Sequence, residues 1–451
     1  MNLVRYILLL ILLLINVGIA HTQGLIDVKG KIVDKYGRGI LAIIQVQDQS
    51  GHNLTYFPEK DGSFMVRLPQ DNYTFTISKG SEYEIRTISI DTSKIPKEGL
   101  IIQLNRTYDI EKDGWYSGDV NTHSLFSDGL EFPIDIALAS KSMGLSWAVL
   151  SDHNTISGRC MWNICKGSDF IPIIGEEVTT PYGHFNAIGI ERLISWDVKE
   201  GKKDIMRIYK DIHREGGIVS LNHPFFPNRS YKFWDTKGYD VIEIWNGGLP
   251  PNLEGAGNYE AKIKWFDLLN RGEKIPAVAG SDCHDITSVI SALDYSISSR
   301  LISSRLGLEI PDAKRDLFKR WLSLGLYVGN PRTYVHIRKF SQEEIIKALK
   351  NGNSFITNGP IILADIDGKY PGERLESLKT SYILNIKVLS NSPIDKIIII
   401  GDGKILEKIY TDNTNIYSTS REIKDKSSNW ILVEVYGKYP IYAITNPIYL
   451  R

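Results

Sequence analysis

Polar clusters that contain histidine recur between residues 114 and 285, and most of them directly follow an apolar run typical of a buried strand. The runs are WAVLS, FIPIIG, GGIVSLN, YDVIEIWN and IPAVAGSD, and helical stretches alternate with them. In one such stretch, KKDIMRIYKDIHREGG, Ile205, Ile208 and Ile212 share a face, and Gly216 follows as a stop. Because a (β/α) barrel gathers its active site at the carboxyl ends of its strands, this rhythm, which runs from Gly114 to about Asp285, predicts such a barrel, in a domain expected over residues 112–350.

All-strand patterns flank this segment. From Leu25 to about Leu104, apolar residues lie two apart and Asp-Gly, Ser-Gly or Lys-Gly form the corners, which predicts an antiparallel β-sandwich over residues 24–104. A helix with a Ser341/Glu344 capping box then leads into runs such as NWILVEVYG, which predict a C-terminal β-sandwich over residues 355–451. The expected fold is multidomain α/β plus all-β, as a chain of 451 residues requires more than one core.

The N-terminus predicts export. Arg5 precedes an apolar run from Tyr6 to Ile15, and Gly18 and Ala20 suit cleavage of a signal peptide over residues 1–20. The run is short for a membrane span, so we expect a secreted, periplasmic or cell-surface protein with no stable span after cleavage; an uncleaved anchor is the alternative. The 53 basic and 53 acidic residues cancel, so no nucleic-acid partner is expected.

Cysteines are few for an exported chain. Cys160 and Cys165 could pair, whereas Cys283 would then be free, so the three cysteines do not form a disulfide framework.

Five of the nine histidines lie near predicted strand ends, most of them with a carboxylate. The residues in these clusters are His123, Asp128, His153, Glu177, His184, His223, Asp282 and His284. Any one histidine could be a hydrogen-bonded core residue. Together they predict a polynuclear metal site, because buried charged groups must be paired or coordinate metal. Imidazole with carboxylate suits zinc, manganese or iron.

Four stretches, DVNTHSLFSDG, LSDHN, SLNHP and GSDCH, resemble the motifs of the PHP domain, the polymerase-and-histidinol-phosphatase superfamily of metal-dependent hydrolases. IGEEVTTPYGHFNAIG, IEIWNGG, TNGP and TNPIYL are similar to its carbaryl-hydrolase branch, so the resemblance covers roughly residues 114 to 451 and implies a distorted (β/α)7 barrel. DGSF and NYTFTI resemble a carboxypeptidase-regulatory, transthyretin-like module.

The resemblance implies two or three divalent metal ions. The first would be held by residue 121, His123, Glu177 and Asp282. Glu177 would bridge to a second, completed by His184 and His223. The third would be held by Asp128, His153 and His284.

Expected roles are also assigned to four residues, Asn121, Asp119, Asp152 and Arg159. Asn121 stands where a second histidine would complete an H-x-H motif, so its neutral amide oxygen is expected to be a weaker ligand, with Asp119 as an additional oxygen. Asp152 and Arg159 are the candidate catalytic residues outside the ligand set. Asp152 is expected to orient a ligand, and Arg159 to bind a substrate anion.

The expected reaction is hydrolysis of a phosphoester, or of a related carbamate or aryl ester, by a metal-bound hydroxide. Clustered divalent ions lower the pKa of bound water from about 16 towards about 7. The expected partner is a small-molecule or glycan-linked ester substrate. The alternative is a catalytically degenerate barrel that binds a glycan or a cell-surface ligand. The metal content of the purified protein would distinguish this alternative from the hydrolase.

Overall fold

The structure is a computed structural model that describes residues 24–226, 229–255, 257–286, 327–376, 380–424 and 428–450. The predicted signal peptide lies outside the described residues. Within those ranges no helix has both the length and the apolar character needed to cross a membrane.

The first compact unit comprises residues up to Ser78 and Ile85–Asn105. Its described strands are β1 (Ile26–Val33), β2 (Ile43–Gln47), β3 (Asn53–Tyr56), β4 (Ser63–Leu68), β5 (Asn72–Ser78), β6 (Arg86–Asp91) and β7 (Leu100–Gln103). They form two sheets, in the orders β4-β1-β7 and β3-β2-β5-β6. β7 is parallel to β1, whereas the sequence predicted antiparallel pairing throughout.

The second compact unit comprises Lys79–Glu84 and the chain from Arg106 onward, so the short segment 79–84 belongs to it although the sequence placed that segment in the N-terminal module. Its strands are β8 (Trp115–Thr122), β9 (Trp147–Leu150), β10 (Ile171–Thr180), β11 (Gly183–Ile188), β12 (Ile218–Asn222), β13 (Val241–Asn246), β14 (Ala277–Gly280), β15 (Arg332–His336), β16 (Ser354–Thr357), β17 (Ile361–Ile366), β18 (Tyr382–Gly401), β19 (Lys404–Ile423), β20 (Trp430–Gly437), β21 (Tyr442–Thr445) and β22 (Ile448–Tyr449).

The described α-helices are α1 (Pro133–Ser142), α2 (Arg159–Asn163), α3 (Lys202–Arg214), α4 (Asn258–Asn270) and α5 (Gln342–Asn351). The predicted apolar face of α3 is confirmed, because Ile205, Ile208 and Ile212 are fully buried. The predicted cap of α5 is also confirmed, because the Ser341 hydroxyl accepts a hydrogen bond from the Glu344 amide at 3.3 Å.

One 15-stranded sheet runs through the second unit, in the order β14-β13-β12-β11-β10-β9-β8-β15-β16-β21-β20-β18-β17, with β19 beside β18 and β22 beside β20. Along the row from β8 to β14, β11 is antiparallel to both neighbours and the other pairs are parallel. The Asp282 amide donates to the Asn121 carbonyl and the His123 amide to the Cys283 carbonyl, both at 3.0 Å. The carboxyl ends of β8 and β14 are therefore adjacent, although the sevenfold barrel itself stays a prediction.

The C-terminal strands, for which the sequence predicted a β-sandwich over residues 355–451, share both this sheet and a core with the preceding segment. Trp265 and Leu268 of α4 belong to the same buried cluster as Trp430 and Leu432 of β20. The strands that follow residue 355 thus help to hold the segment that carries the histidines.

Candidate metal centre

The carboxyl ends of four strands supply most of the histidine and carboxylate side chains. His123 directly follows β8, His223 directly follows β12, Asp282 follows β14, and Asp152 and His153 follow β9. The antiparallel pair β10–β11 adds Glu177 and His184. Residues of different strands meet here because their strands end at one edge of the sheet.

Glu177 lies at the centre of this cluster. Its Oε1 is 3.1 Å from His184 Nδ1 and 3.0 Å from His223 Nε2. Its Oε2 is 3.2 Å from His123 Nε2 and 3.3 Å from His153 Nδ1. One fully buried carboxylate therefore contacts four imidazoles.

Glu176 points elsewhere, as the alternation of side chains along a strand predicts. Its Oε2 accepts a hydrogen bond from the Ile194 amide at 2.8 Å, and burial raises the pKa of its carboxyl to about 7. The structure thus places Glu177 rather than Glu176 among the imidazoles.

Three sets of side chains bring ligand atoms within 4.8 Å of one another. They are His123–Glu177–Asp282, His153–Glu177–His184, and His123–Asp128–His153–His284. The first set contains His123, Glu177 and Asp282, which the resemblance implied for the first metal. The third set contains Asp128, His153 and His284, which the resemblance implied for the third metal, together with His123. In the second set His153 appears where the sequence had His223, although His223 Nε2 still contacts the same Glu177 oxygen as His184.

The contacts of the His123 ring nitrogens show whether this group of residues fits a metal ion. Both of its ring nitrogens are buried and have no hydrogen-bond partner among the described residues. Its Nε2 lies 3.0 Å from Asp282 Oδ1 and 3.2 Å from Glu177 Oε2. One imidazole nitrogen carries at most one proton and cannot satisfy two carboxylates, whereas a divalent cation between the three groups would satisfy all of them. The donor set therefore fits a metal ion.

Two other histidines have one ring nitrogen engaged. His284 Nδ1 lies 2.7 Å from the Asp282 carbonyl, which can only accept, so Nδ1 carries the proton. Its Nε2 faces Asp128 Oδ1 at 3.1 Å. His153 Nδ1 bonds to Thr179 Oγ1 at 2.6 Å, and its Nε2 lies 3.6 Å from Asp128 Oδ2. A hydrogen bond that fixes one ring nitrogen and directs the other inward is typical of metal-binding histidines.

The electrostatics of the cluster follow from burial and from the mutual contacts. Burial alone would raise the pKa of Glu177, but the surrounding imidazoles hold it well below its ordinary value. Burial lowers the pKa of His153 to about 4. Burial would also lower the pKa of His223, but Glu177 raises it to about 9. A metal at His223 therefore has to displace a proton, and binding there is expected to weaken in acid.

Asp152 does not face the centre of the cluster. Its carboxylate accepts hydrogen bonds from the Ser124 amide, the Ser124 hydroxyl and the Ser127 hydroxyl, each at 2.7 Å. These bonds fix the loop between His123 and Asp128. Asp152 thus orients a ligand-bearing loop, as expected, and its engaged carboxylate does not support a direct catalytic role.

Asp119 is likewise fully engaged, so it lends no oxygen to a metal. It accepts hydrogen bonds from the Ser281 amide and hydroxyl, at 3.0 and 2.5 Å, and from the Gly329 amide at 2.7 Å. Its role is to tie β8 to the segments that follow β14 and precede β15.

Arg159 contacts the Glu191 carbonyl through Nη1 at 3.1 Å. A different cation, Arg229, lies at the cluster, with its Nη1 3.4 Å from His184 Nε2. The sequence analysis did not identify Arg229, because only the turn after β12 brings it there: the Phe226 amide donates to the His223 carbonyl and the Arg229 amide to the Phe226 carbonyl.

Two other residues near the cluster were also not identified from the sequence. Asn222 Nδ2 donates to Glu177 Oε1 at 3.2 Å, and no sequence signal marks it, because alternation along a strand would place it opposite its neighbour His223. Glu243 Oε2 accepts from the His223 amide at 2.8 Å, and burial raises the pKa of Glu243 to about 8. No sequence signal marks Glu243, because it lies mid-strand in an apolar run.

Comparisons with known proteins give structural neighbours only. No family model matches the chain, and no curated protein matches it. A Bacteroides vulgatus two-domain protein, described as containing a predicted PHP-like metal-dependent phosphoesterase, is 16% identical over 71% of this chain and 90% of its own, with a TM-score of 0.39.

Two shorter structures are similar to part of the chain. A Bifidobacterium adolescentis protein described as a putative metal-dependent phosphoesterase is 16% identical, with a TM-score of 0.28. An amidohydrolase from Chromobacterium violaceum with bound sulfate is 14% identical, with a TM-score of 0.26. Each alignment covers 37% of this chain and 87% of the other. TM-scores below 0.5 establish neither a shared fold nor a shared activity, so the centre is interpreted from its own geometry.

Proposed function

We propose that the chain is an exported, metal-dependent hydrolase of phosphoesters or related esters. The observation that carries this proposal is the position of Glu177, whose two oxygens contact four imidazoles and which belongs to two of the three ligand sets. A carboxylate in that position is suited to bridge two cations.

Each ligand set would hold one divalent ion, zinc, manganese or iron. His123, Glu177 and Asp282 would hold the first. Glu177 with His184 and either His153 or His223 would hold the second, and Asp128, His153 and His284 the third. When bound, such ions polarise an ester oxygen and make water nucleophilic at neutral pH.

The chain's own residues define the approach to this centre. Glu177 and His123 are fully buried, whereas the side chains of Asp128, Asp282 and His284 are 32%, 24% and 22% exposed. Substrate is therefore expected to enter beside the third ligand set, while the buried side excludes water.

Arg229 is the candidate group for a negatively charged substrate. Its guanidinium lies 3.4 Å from His184 Nε2. If His184 binds a metal through Nδ1, its Nε2 carries a proton, and two donors then face each other. An anionic oxygen would accept hydrogen bonds from both donors, so this contact favours a phosphoester over a neutral ester.

Export, the sevenfold barrel and a glycan-linked or other small ester substrate belong to the same proposal. They are supported by the N-terminal apolar run, by the hydrogen bonds that join the ends of β8 and β14, and by the partly exposed side of the centre.

Reconstitution tests the proposed function. The protein is stripped with chelator and dialysed. It is then assayed on p-nitrophenyl phosphate, bis-p-nitrophenyl phosphate and p-nitrophenyl acetate after addition of zinc, manganese or iron. We expect the stripped protein to be inactive, and its hydrolysis of a phosphoester to be restored by at least one of the added metals. Tight binding of two or more ions without hydrolysis would instead favour a binding scaffold, and no metal binding at all would refute the proposal.

A further inference from the structure

The side chain of Asn121 has a defined orientation. The Ser151 hydroxyl accepts a hydrogen bond from the Thr122 amide at 3.1 Å, and its own proton faces Asn121 Oδ1 at 2.7 Å, a shorter contact than the one to the Thr122 carbonyl at 3.2 Å. Asn121 Nδ2 then points at Asp282 Oδ1, 3.3 Å away. The opposite orientation would place the amide oxygen against the Asp282 carboxylate, which repels it. Asn121 therefore presents a donor to the first ligand set, and its oxygen is used by Ser151.

Asp282 is held by Asn121 at a second point as well. The Asp282 amide donates to the Asn121 carbonyl at 3.0 Å. Asp282 has a φ of +53°, which a non-glycine residue adopts only when neighbouring groups support it. The side-chain and main-chain contacts together fix both the backbone and the carboxylate of Asp282.

We propose that Asn121 is a positioning residue rather than a metal ligand, and that the first metal is held by only three protein side chains, His123, Glu177 and Asp282. Three protein ligands would leave room at a bound metal for water or a substrate oxygen, as at catalytic metal sites. This inference rests on the proposed metal centre. On this inference, asparagine in place of the second histidine of an H-x-H motif is what leaves the first metal accessible to water or substrate.

Glu243 is the residue that could complete the set instead. Its Oε1 is buried and has no hydrogen-bond partner among the described residues. A Cβ atom built on Gly280 would lie 2.8 Å from both Glu243 Oε1 and Asn121 Cβ, so Glu243 and Asn121 flank the same glycine. Any test has to separate a three-ligand site from one that Glu243 completes.

The test counts metal ions and metal-bound waters. The full-length protein is loaded with Mn²⁺, and its stoichiometry, its affinity and the number of exchangeable waters are measured by elemental analysis, titration and water-proton relaxation. Wild type is compared with Asn121→Ala, Ser151→Ala and Glu243→Gln. Loss of a residue that orients a ligand typically lowers metal affinity 10- to 100-fold.

The expected result is that Asn121→Ala and Ser151→Ala each weaken the same Mn²⁺ site about 10- to 100-fold without adding a bound water. Glu243→Gln should leave that site and its water count unchanged. One additional water in Asn121→Ala, with no effect of Ser151→Ala, would show that the amide oxygen is a ligand and overturn the inference.

A loss of Mn²⁺ or a gain of water in Glu243→Gln would also overturn the three-ligand site. If Asn121→Ala does not fold, Ser151→Ala and Glu243→Gln still decide the question. A wild type that binds no metal would refute the metal centre itself, which is a different failure.

Discussion

At the scale of single residues, Asn121 and Glu177 show what sequence alone could determine. Because adjacent strand residues face opposite ways, only one of Glu176 and Glu177 can face the centre, and alternation by itself does not say which. The side chains of Glu177 and Asn121 are both fully buried at the cluster. The rotation of the Asn121 amide could not be predicted, because Ser151, 30 residues away, sets it. Arg229 was not identified for a similar reason, since its contact with His184 depends on a turn after β12.

Arg229 provides a prediction about substrate charge. Replacing Arg229 with Met removes a charged donor beside His184, so KM for p-nitrophenyl phosphate should rise about 10- to 100-fold, the factor that corresponds to ~1.5–3 kcal/mol for a charged hydrogen bond. KM for the neutral p-nitrophenyl acetate should not change. The matched control is Arg159→Met, whose guanidinium binds the Glu191 carbonyl instead and should leave both substrates unaffected. An equal rise in KM for the two esters would refute a role for Arg229 in binding the negative charge of the substrate.

At the scale of elements, the loop between His123 and Asp128 owes its shape to one carboxylate. Asp152 accepts three hydrogen bonds from Ser124 and Ser127 in this loop. The loop carries Asp128, which contacts His153 and His284.

Asp152→Ala should therefore loosen the third metal without emptying the first. It leaves buried donors unsatisfied, which costs about 1–3 kcal/mol in the free energy of unfolding, and the loss of an orienting partner should weaken the third metal about 10- to 100-fold. Denaturant titration and metal titration measure the two effects. Asp169→Ala is the control, because Asp169 pairs with Lys141 on the surface and is 62% exposed. Unchanged metal binding in Asp152→Ala would contradict the account of this loop.

The elements were predicted unequally well. The face of α3 and the cap of α5 follow from periodicity and one capping box. The runs SYILNIKVLS and DKIIIIGDGK have the sequence pattern of two strands, yet Tyr382–Gly401 forms the single strand β18. Pro393 separates the two runs and lies where the pairing register shifts, at a bulge that proline tolerates. β19 was not predicted because it pairs with β18 alone, and most of its residues are exposed and polar.

At the scale of the whole molecule, a buried ion pair links the histidine-bearing segment to the C-terminal strands. Lys262 of α4 lies 3.0 Å from Glu434 of β20, and both side chains are less than 10% exposed. Tyr442 also donates to Glu434, at 2.8 Å. This pair could not be predicted from the sequence, because neither residue signals its partner, which is 172 positions away.

Lys262→Met should destabilise the molecule strongly, because it leaves the buried carboxylate of Glu434 without its cation. Removing one partner of a buried ion pair costs about 3–5 kcal/mol. Lys264→Met is the control on the same helix, since the partly exposed pair with Asp267 is worth at most about 1 kcal/mol. Chemical denaturation monitored by tryptophan fluorescence compares the two variants. Equal losses of unfolding free energy in the two variants would mean that the Lys262–Glu434 pair does not help to hold the C-terminal strands to the histidine-bearing segment.

The central claim is that Glu177 bridges a polynuclear metal centre, and two neighbouring glutamates allow a matched test. Wild type, Glu177→Gln and Glu176→Gln are purified without chelator, and their metal content is measured by inductively coupled plasma mass spectrometry. Glu176→Gln should retain the wild-type content, because the Glu176 carboxyl faces Ile194 and its raised pKa makes a neutral amide a close substitute. Glu177→Gln should lose at least two metal ions per chain, since it withdraws one anionic ligand from two ligand sets. If Glu177→Gln keeps the full metal content of wild type, Glu177 is not the bridge and the account is wrong.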